Sequence, residues 1–389
     1  SFVYIVYFLG IVFIPELKAE KTLFLISGLN ILFTIVGVEW LYKGIEQYFY
    51  ITIRSIIFKL IAFLLVFTCV KTEADYSAYA FIIILATVGS GVVNLYNLRK
   101  IITIKYFSNY DFKRHLKPMM TFFITTIAVS FYVNVSVALL GFMQGDEEVG
   151  YYNAAYRIKD VMVSIVTSLG AVLLPRLSYY IENNMWDKFN DILSKSTQFI
   201  FILSLPLVVF CILFAKPSVL ILAGSAYSGS IVPLQVLALI IFIVGLSNLT
   251  GIQMLIPLKK EKYLCYSVVI AAVINMVLNL ILIPEYGAIG AAVSVMVAES
   301  SILIYQIYIL RAYSQVLFGG ISYMRIIMAL SLAISVSIWL NINLNYNEVI
   351  VFLVSASLFF ICYLGILLLS KEPFIFTILN QIRSKLTKN

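Results

Sequence analysis

Three sets of ionisable side chains stand in or beside long apolar runs, where a charge is costly. A charged group at the centre of a membrane helix costs about 2.5–3.5 kcal/mol on insertion scales, so it tends to face a cavity or a partner. Arg157, Lys159 and Asp160 form the first set. Arg157 and Asp160 are three residues apart and can pair on one helix face. Two cations there could bind phosphate, with Arg offering paired donors. The plainer account is a helix end whose long side chains snorkel to the interface. Glu299, well inside its apolar run, is the second. A midplane carboxylate could hold a proton or Na⁺, or pair with a cation. Asn275 and Asn279, four apart on the preceding run, could join it or serve only to hold helices together. The third set is Glu39, Lys43, Glu46 and Arg54, interleaved with Trp40, Tyr42, Tyr48 and Tyr50. Its cations suit an anionic head group and its aromatic faces a sugar. An interfacial aromatic belt with surface ion pairs would look the same. Lys59, just inside the next run, extends the basic path.

Other chemistries find little support. No nucleophile and base stand at a recognisable spacing, and no Gly-rich phosphate loop is present. Cys69, Cys211, Cys265 and Cys362 sit in or at the ends of apolar runs and read as small core residues, not metal ligands. His115 is the single histidine. Neither a metal nor an organic cofactor is expected, although H⁺ or Na⁺ coupling is compatible with Glu299 and Asp160.

The elements that must carry these residues follow from composition. Of 389 residues, 62% are hydrophobic and 12% charged. Soluble domains carry about 25% charge, so this chain could not cover a water-exposed surface. About 20 apolar residues span a bilayer as a helix. Twelve such runs are expected: 1–15, 22–41, 52–70, 76–98, 118–142, 155–175, 196–215, 231–257, 263–283, 288–311, 322–341 and 348–370. The first is short, begins with Ser1, and lacks a basic leader or cleavage site, so it reads as part of a helix and not as a signal peptide. No alternating pattern of an outer-membrane barrel recurs. The fold class is therefore an all-α polytopic membrane protein.

Alternating the twelve runs puts 21 of the 27 Lys and Arg residues on one side. That side is cytoplasmic by the positive-inside rule, and the C-terminus lies there. The net charge of +8 is then topological and gives no reason to expect nucleic acid. The longest loops are expected at 99–117 and 176–195, both cytoplasmic. Outer loops are too short for the catalytic domain of a polymerase or ligase. The basic segment 99–117 is the strongest boundary, with Pro118 suited to open the next helix.

The stretch Gly37-Val-Glu-Trp-Leu-Tyr-Lys-Gly-Ile-Glu-Gln-Tyr-Phe-Tyr-Ile51, with Arg54-Ser-Ile-Ile-Phe-Lys59, resembles the Wzx-type O-antigen flippases. So do Val149-Gly-Tyr-Tyr-Asn-Ala-Ala-Tyr-Arg-Ile158, Leu173-Leu-Pro-Arg-Leu-Ser178 and Leu282-Ile-Pro-Glu-Tyr-Gly-Ala-Ile-Gly-Ala-Ala292. The last is similar to motifs across the multidrug/oligosaccharidyl-lipid/polysaccharide superfamily. The resemblance implies two helical lobes around a central cavity and alternating access. It implies undecaprenyl-pyrophosphate-linked oligosaccharide, an O-antigen or capsule repeat unit, as cargo in a bacterial inner membrane. Other polysaccharide-assembly membrane proteins are implied partners, beside membrane lipid. On this alignment 1–98 is a partial first lobe of four helices, 99–117 the inter-lobe loop, 118–311 the second lobe, 322–370 a C-terminal pair and 371–389 a cytoplasmic tail. About two helices of a 14-helix protein would then precede residue 1. Arg157, Lys159, Arg54, Lys59, Glu39 and Lys43 are the substrate-binding candidates, and Asp160 and Glu299 the coupling or ion-pair candidates. Related exporters of drug-like molecules or of the peptidoglycan precursor are the alternative.

Overall fold

A computed structural model describes residues 2–13, 24–26, 28, 37–72, 75–102, 112–343, 348–377 and 380. Helix is the only regular structure among them, as a chain with this much lipid-facing surface requires, because only internal hydrogen bonds can satisfy the backbone in hydrocarbon. Among the described residues nine helices are long and apolar enough to cross a membrane. One holds two of the expected runs, so ten of the twelve lie in these helices, and the run expected at 1–15 is the twelve-residue helix Phe2–Phe13. The run expected at 22–41 lies mostly outside the described residues. The chain divides into two compact units, Ser1–Tyr110 and Asp111–Asn389.

In the first unit α1 is Phe2–Phe13, α2 is Glu39–Gly44, α3 is Tyr48–Cys69 and α4 is Tyr76–Ile101. Helices α3 and α4 pack together. The short α2 is tied to α4 by polar bonds that water cannot replace. Buried Tyr42 donates its hydroxyl to the Asn94 carbonyl at 2.7 Å, and the Asn94 amide donates to the Gly37 carbonyl at 2.7 Å.

In the second unit α5 is Phe112–Gln144, α6 Asp146–Glu182, α7 Trp186–Leu213, α8 Ala215–Leu222 and α9 Ile231–Asn248. A π-helical turn, Leu249–Leu255, extends α9. Then follow α10, Glu261–Ile309, and the short α11, Ser314–Phe318. The paired α12, Tyr323–Asn343, and α13, Glu348–Leu369, end the unit. Helix α10 has 49 residues, about 74 Å at 1.5 Å per residue, more than twice a bilayer core of about 30 Å. It is in fact a hairpin. Gly287, at φ 51° and ψ −129°, breaks it in a conformation that a side chain would strain. The chain returns so closely that a Cβ on Gly290 would strike the Leu282 carbonyl. The junction of α5 and α6 brackets this turn. Gln144 donates to the carbonyls of Ile283 and Pro284 at 3.0 and 2.8 Å, and Glu148 accepts the Ala288 N–H at 2.6 Å. Both freed helix ends are thereby capped.

Two loop expectations are corrected. Segment 176–195 is helix apart from Asn183–Met185. The apolar run stops where charges begin, but the helix continues as an amphipathic one. Phe189 and Leu193 are fully buried, while Lys195 and Asp191 pair at 2.6 Å on the exposed face. Helix α5 likewise begins at Phe112, so Pro118 falls in its second turn and not at its first position.

Candidate functional site

Helix α6 carries the central residues of the second unit. Its start is fixed by Gly145, at φ 92°, and by three acidic residues, Asp146, Glu147 and Glu148, which suit the positive end of the helix dipole. Arg157, Lys159 and Asp160 fall about three to four turns into α6. Arg157 and Lys159 are two residues apart and so about 200° apart round the helix. The structure gives them different surroundings. Arg157 is exposed on the wall of a cavity of about 760 Å³, with Asn153, Ile158, Met162, Leu222 and Tyr227. No ion pair joins it to another described residue. The expected Arg157–Asp160 pair is replaced by Lys159–Asp160, with Lys159 Nζ 3.7 Å from Asp160 Oδ1.

Lys159 turns inward and is 5% exposed. Its ammonium lies 3.7 Å from the centroid of the Tyr156 ring, a cation–π contact strengthened by desolvation. It also attracts Glu299 electrostatically. The Glu299 carboxylate accepts a hydrogen bond from the Tyr132 hydroxyl at 2.7 Å. Lys159, Asp160 and Glu299 are therefore assembled in one place, from α6 and the second arm of α10, with α5 supplying the phenol. Buried Tyr152 flanks the group, its ring 5.8 Å from that of Tyr156. The amides expected to join Glu299 form an adjoining network. Asn279 donates to Asn275 Oδ1 and to the Ser136 hydroxyl, each at 2.9 Å, and Ser136 lies one turn from Tyr132. Such fully interior bonds fix the register of α5 against α10.

In the first unit Glu39 pairs with Lys43 at 2.9 Å across one turn of α2. Arg54 on α3 reaches Glu39 only at 4.0 Å. Its Cζ lies 5.9 Å from the Tyr50 ring, which stacks on Tyr42 at 5.2 Å. Glu39, Lys43 and Arg54 are thus together. Lys59, five residues on, is about 140° round the helix from Arg54 and exposed.

Sequence reading missed Tyr132, Tyr152, Tyr156, Ser136, Gln144 and Glu148. A signal existed for some. Tyr152, Tyr156 and Lys159 are spaced four and three apart and share a face. A tyrosine such as Tyr132 in an apolar run must find its hydroxyl a partner. Nothing local could show that Gln144 and Glu148 cap a turn about 140 residues away.

These features define a polytopic helical membrane protein with a few charged side chains, Lys159 and Arg54 among them, buried within its helices. Residues 2–181 match the family described as polysaccharide biosynthesis protein, and residues 122–281 match the MatE family. Two proteins named "Putative O-antigen transporter" are similar. The one from Shigella dysenteriae is 28% identical over 287 residues, 73% of this chain and 71% of that protein. The one from Escherichia coli (strain K12) is 26% identical over 67% of this chain and 63% of that protein. The fold resembles a solved structure titled "Lipid II flippase MurJ, inward closed conformation", with a TM-score of 0.64 and 16% identity. That match covers 90% of this chain and 74% of the other. The family matches, the curated relatives and the fold thus agree in their likeness to the polysaccharide flippases of the multidrug/oligosaccharidyl-lipid/polysaccharide exporter superfamily.

Proposed function

We propose that this chain translocates an undecaprenyl-pyrophosphate-linked oligosaccharide, an O-antigen or capsule repeat unit, between the leaflets of a bacterial inner membrane. The cargo moves from the cytoplasmic to the periplasmic side by alternating access, and the chain's C-terminus is cytoplasmic. No bond is made or broken, so the protein's task is to lower the cost of moving a charged head group through hydrocarbon. The observation that carries this reading is Arg157, an exposed guanidinium without an ion-pair partner among the described residues, on the wall of a cavity large enough for a head group. Guanidinium binds phosphate oxygens through paired, charge-assisted bonds. The similarity to O-antigen transporters supports the cargo class.

Segments 1–98 and 118–311 belong to two lobes, 99–117 joins them along the chain, and 322–370 forms a C-terminal pair. Lys159 and Glu299 balance one another's charge behind the cavity wall and hold α6 in register. A proton or Na⁺ gradient drives the cycle through Glu299 and Asp160. Neighbouring polysaccharide-assembly proteins receive the cargo.

The test is a reconstituted flipping assay with defined lipid-linked sugars, run under separate pH and Na⁺ gradients. Arg157→Ala should lower flipping at least about ten-fold, the worth of one charge-assisted contact, with an unchanged melting temperature. Wild-type flipping by Arg157→Ala, or equal transport of lipids lacking phosphate, would overturn the reading.

A further inference from the structure

Arg157 does not stand alone on its cavity wall. One side of the cavity of about 760 Å³ is a single stripe of α6, with Gly150, Asn153, Arg157 and Val161 at steps of three or four residues. Asn153 lies one turn, about 6 Å, from Arg157 toward the start of α6, and Gly150 lies about 10 Å away in the same direction. Asn153 is only half-buried, and its amide has no hydrogen-bond partner among the described residues. A donor and an acceptor are therefore open to the cavity there. Tyr227, exposed in the 3-10 turn Ser225–Ser230, closes that end. Its ring lies over Gly150, where a Cβ would be 3.5 Å from Cε1. The ring is held in place. It meets Tyr151 edge to face at 6.5 Å, and the Tyr151 hydroxyl donates to Glu147. Tyr151 also lies flat against Gly229, where a Cβ would fall 2.6 Å from its ring. On the other side of Arg157 the wall turns apolar, with Met162 and the exposed Val161.

We propose that Asn153 and Tyr227 form a sugar-reading subsite, which takes the first pyranose ring bonded to the diphosphate and decides which head groups are moved. The assignment rests on the cargo reading above, in which Arg157 holds the diphosphate. Along the wall the order is apolar, cation, amide and aromatic ring. A lipid-linked glycan has the matching order of hydrocarbon, phosphate and sugar. The amide suits sugar hydroxyls, because each side of that contact both donates and accepts. The Tyr227 face suits the C–H face of a pyranose, and a ring already immobilised loses little freedom on stacking. Other occupants fit that end less well. A hydrocarbon chain would leave the amide without a partner. A second anionic group would meet no second cation, and Glu147 stands close by on Tyr151. The sugar therefore points toward the start of α6, the outer end on the topology proposed above, and the lipid points toward Val161.

The experiment places the full chain in vesicles with equal amounts of two probes, a polyprenyl diphosphate and the same lipid carrying one N-acetylglucosamine. Wild type should move the glycosylated probe about ten-fold faster, the worth of the amide's bonds. Asn153→Ala and Tyr227→Leu should each bring that ratio down to about two, and Tyr227→Phe, which keeps the ring, should retain most of it. Alanine is the best helix former, so Asn153→Ala keeps α6 intact. Both probes compete in the same vesicle, so the ratio does not depend on how much protein is folded. Arg157→Ala should slow both probes at least about ten-fold. A wild-type ratio near one overturns the subsite, and so does an unchanged ratio in both Asn153→Ala and Tyr227→Leu. In either case slow transport of both probes by Arg157→Ala would leave the cargo reading standing. Wild-type rates from Arg157→Ala would overturn that reading, and the subsite with it.

Discussion

Two buried cations, Lys159 and Arg54, are almost equally hidden, at 5% and 6% exposure, and they are treated in opposite ways. Lys159 is surrounded from within its own unit by the face of Tyr156, the carboxylate of Asp160 and the field of Glu299. Arg54 is given one distant, already engaged carboxylate and the edge of an aromatic stack. The difference lies in what each charge gains from its burial. A buried charge saturated by its own fold holds helices in place, while one left short of acceptors adds little to stability.

The sharpest break of that comparison is removal of each charge in turn. Lys159→Met should destabilise the purified protein by about 3 kcal/mol, because Glu299 would be left in the interior without its cation. Arg54→Met, in lipid-free detergent, should lie within about 1 kcal/mol of wild type or above it, since it removes a charge that gains little. Thermal unfolding of both variants under one condition decides this, and equal losses would erase the distinction. Glu299→Gln combined with Lys159→Met should recover part of the loss.

A smaller effect sharpens the saturated side. Tyr132→Phe deletes one hydrogen bond to a carboxylate and should cost about 1.5 kcal/mol by the same measurement, with the cavity wall at Arg157 unaltered. The smallest effect concerns a carboxylate in water. Asp75, before α4, accepts the backbone N–H groups of Lys71 and Thr72 at 3.0 and 2.9 Å and the Thr72 hydroxyl at 3.0 Å. The Lys71 and then the Thr72 bonds hold its carboxyl below the usual 3.8. A folded-state pKa below the unfolded one contributes stability above the unfolded value, and that contribution fades as pH falls through the folded value. Asp75→Asn should therefore lower the melting temperature slightly at pH 7, and that difference should fade as pH falls below the usual carboxylate range.

The spans of the fold were legible because each rests on a local quantity, the length of an apolar run. Ten of the expected runs lie within long helices for that reason. Helix ends were less legible. Segment 176–195 looked like a loop because hydropathy falls there, although Phe189 and Leu193 keep a buried stripe through it. The ionisable candidates were found because charge inside an apolar run is conspicuous, but their partners were not. Spacing alone matched Arg157 to Asp160. The choice of Lys159 depends on how α6 is rotated toward Glu299, and that rotation is set by packing, chiefly against α9 and also against α7, α5 and α10. Neutral contributors such as Tyr132, Ser136 and Gln144 gave weaker signals still, since hydroxyls and amides are common in membrane helices.

The π-helical turn at Leu249–Leu255 has a consequence for any face drawn on α9. A π-turn admits one residue more than an α-turn, so the helix on either side is out of phase by about 100°, the step of a single residue. A wheel carried straight through 231–257 would set Thr250 and Gln253 on the wrong azimuth relative to Leu237 and Ile241. With the phase slip included, Thr250 meets Gln306 at 2.7 Å in the buried interior, and Gln253 donates to Asn248 Oδ1 at 3.2 Å, partly buried. One helix thus presents two stripes, an apolar one ahead of the slip and a polar one across it, where an unbroken α-helix would have had to choose between them.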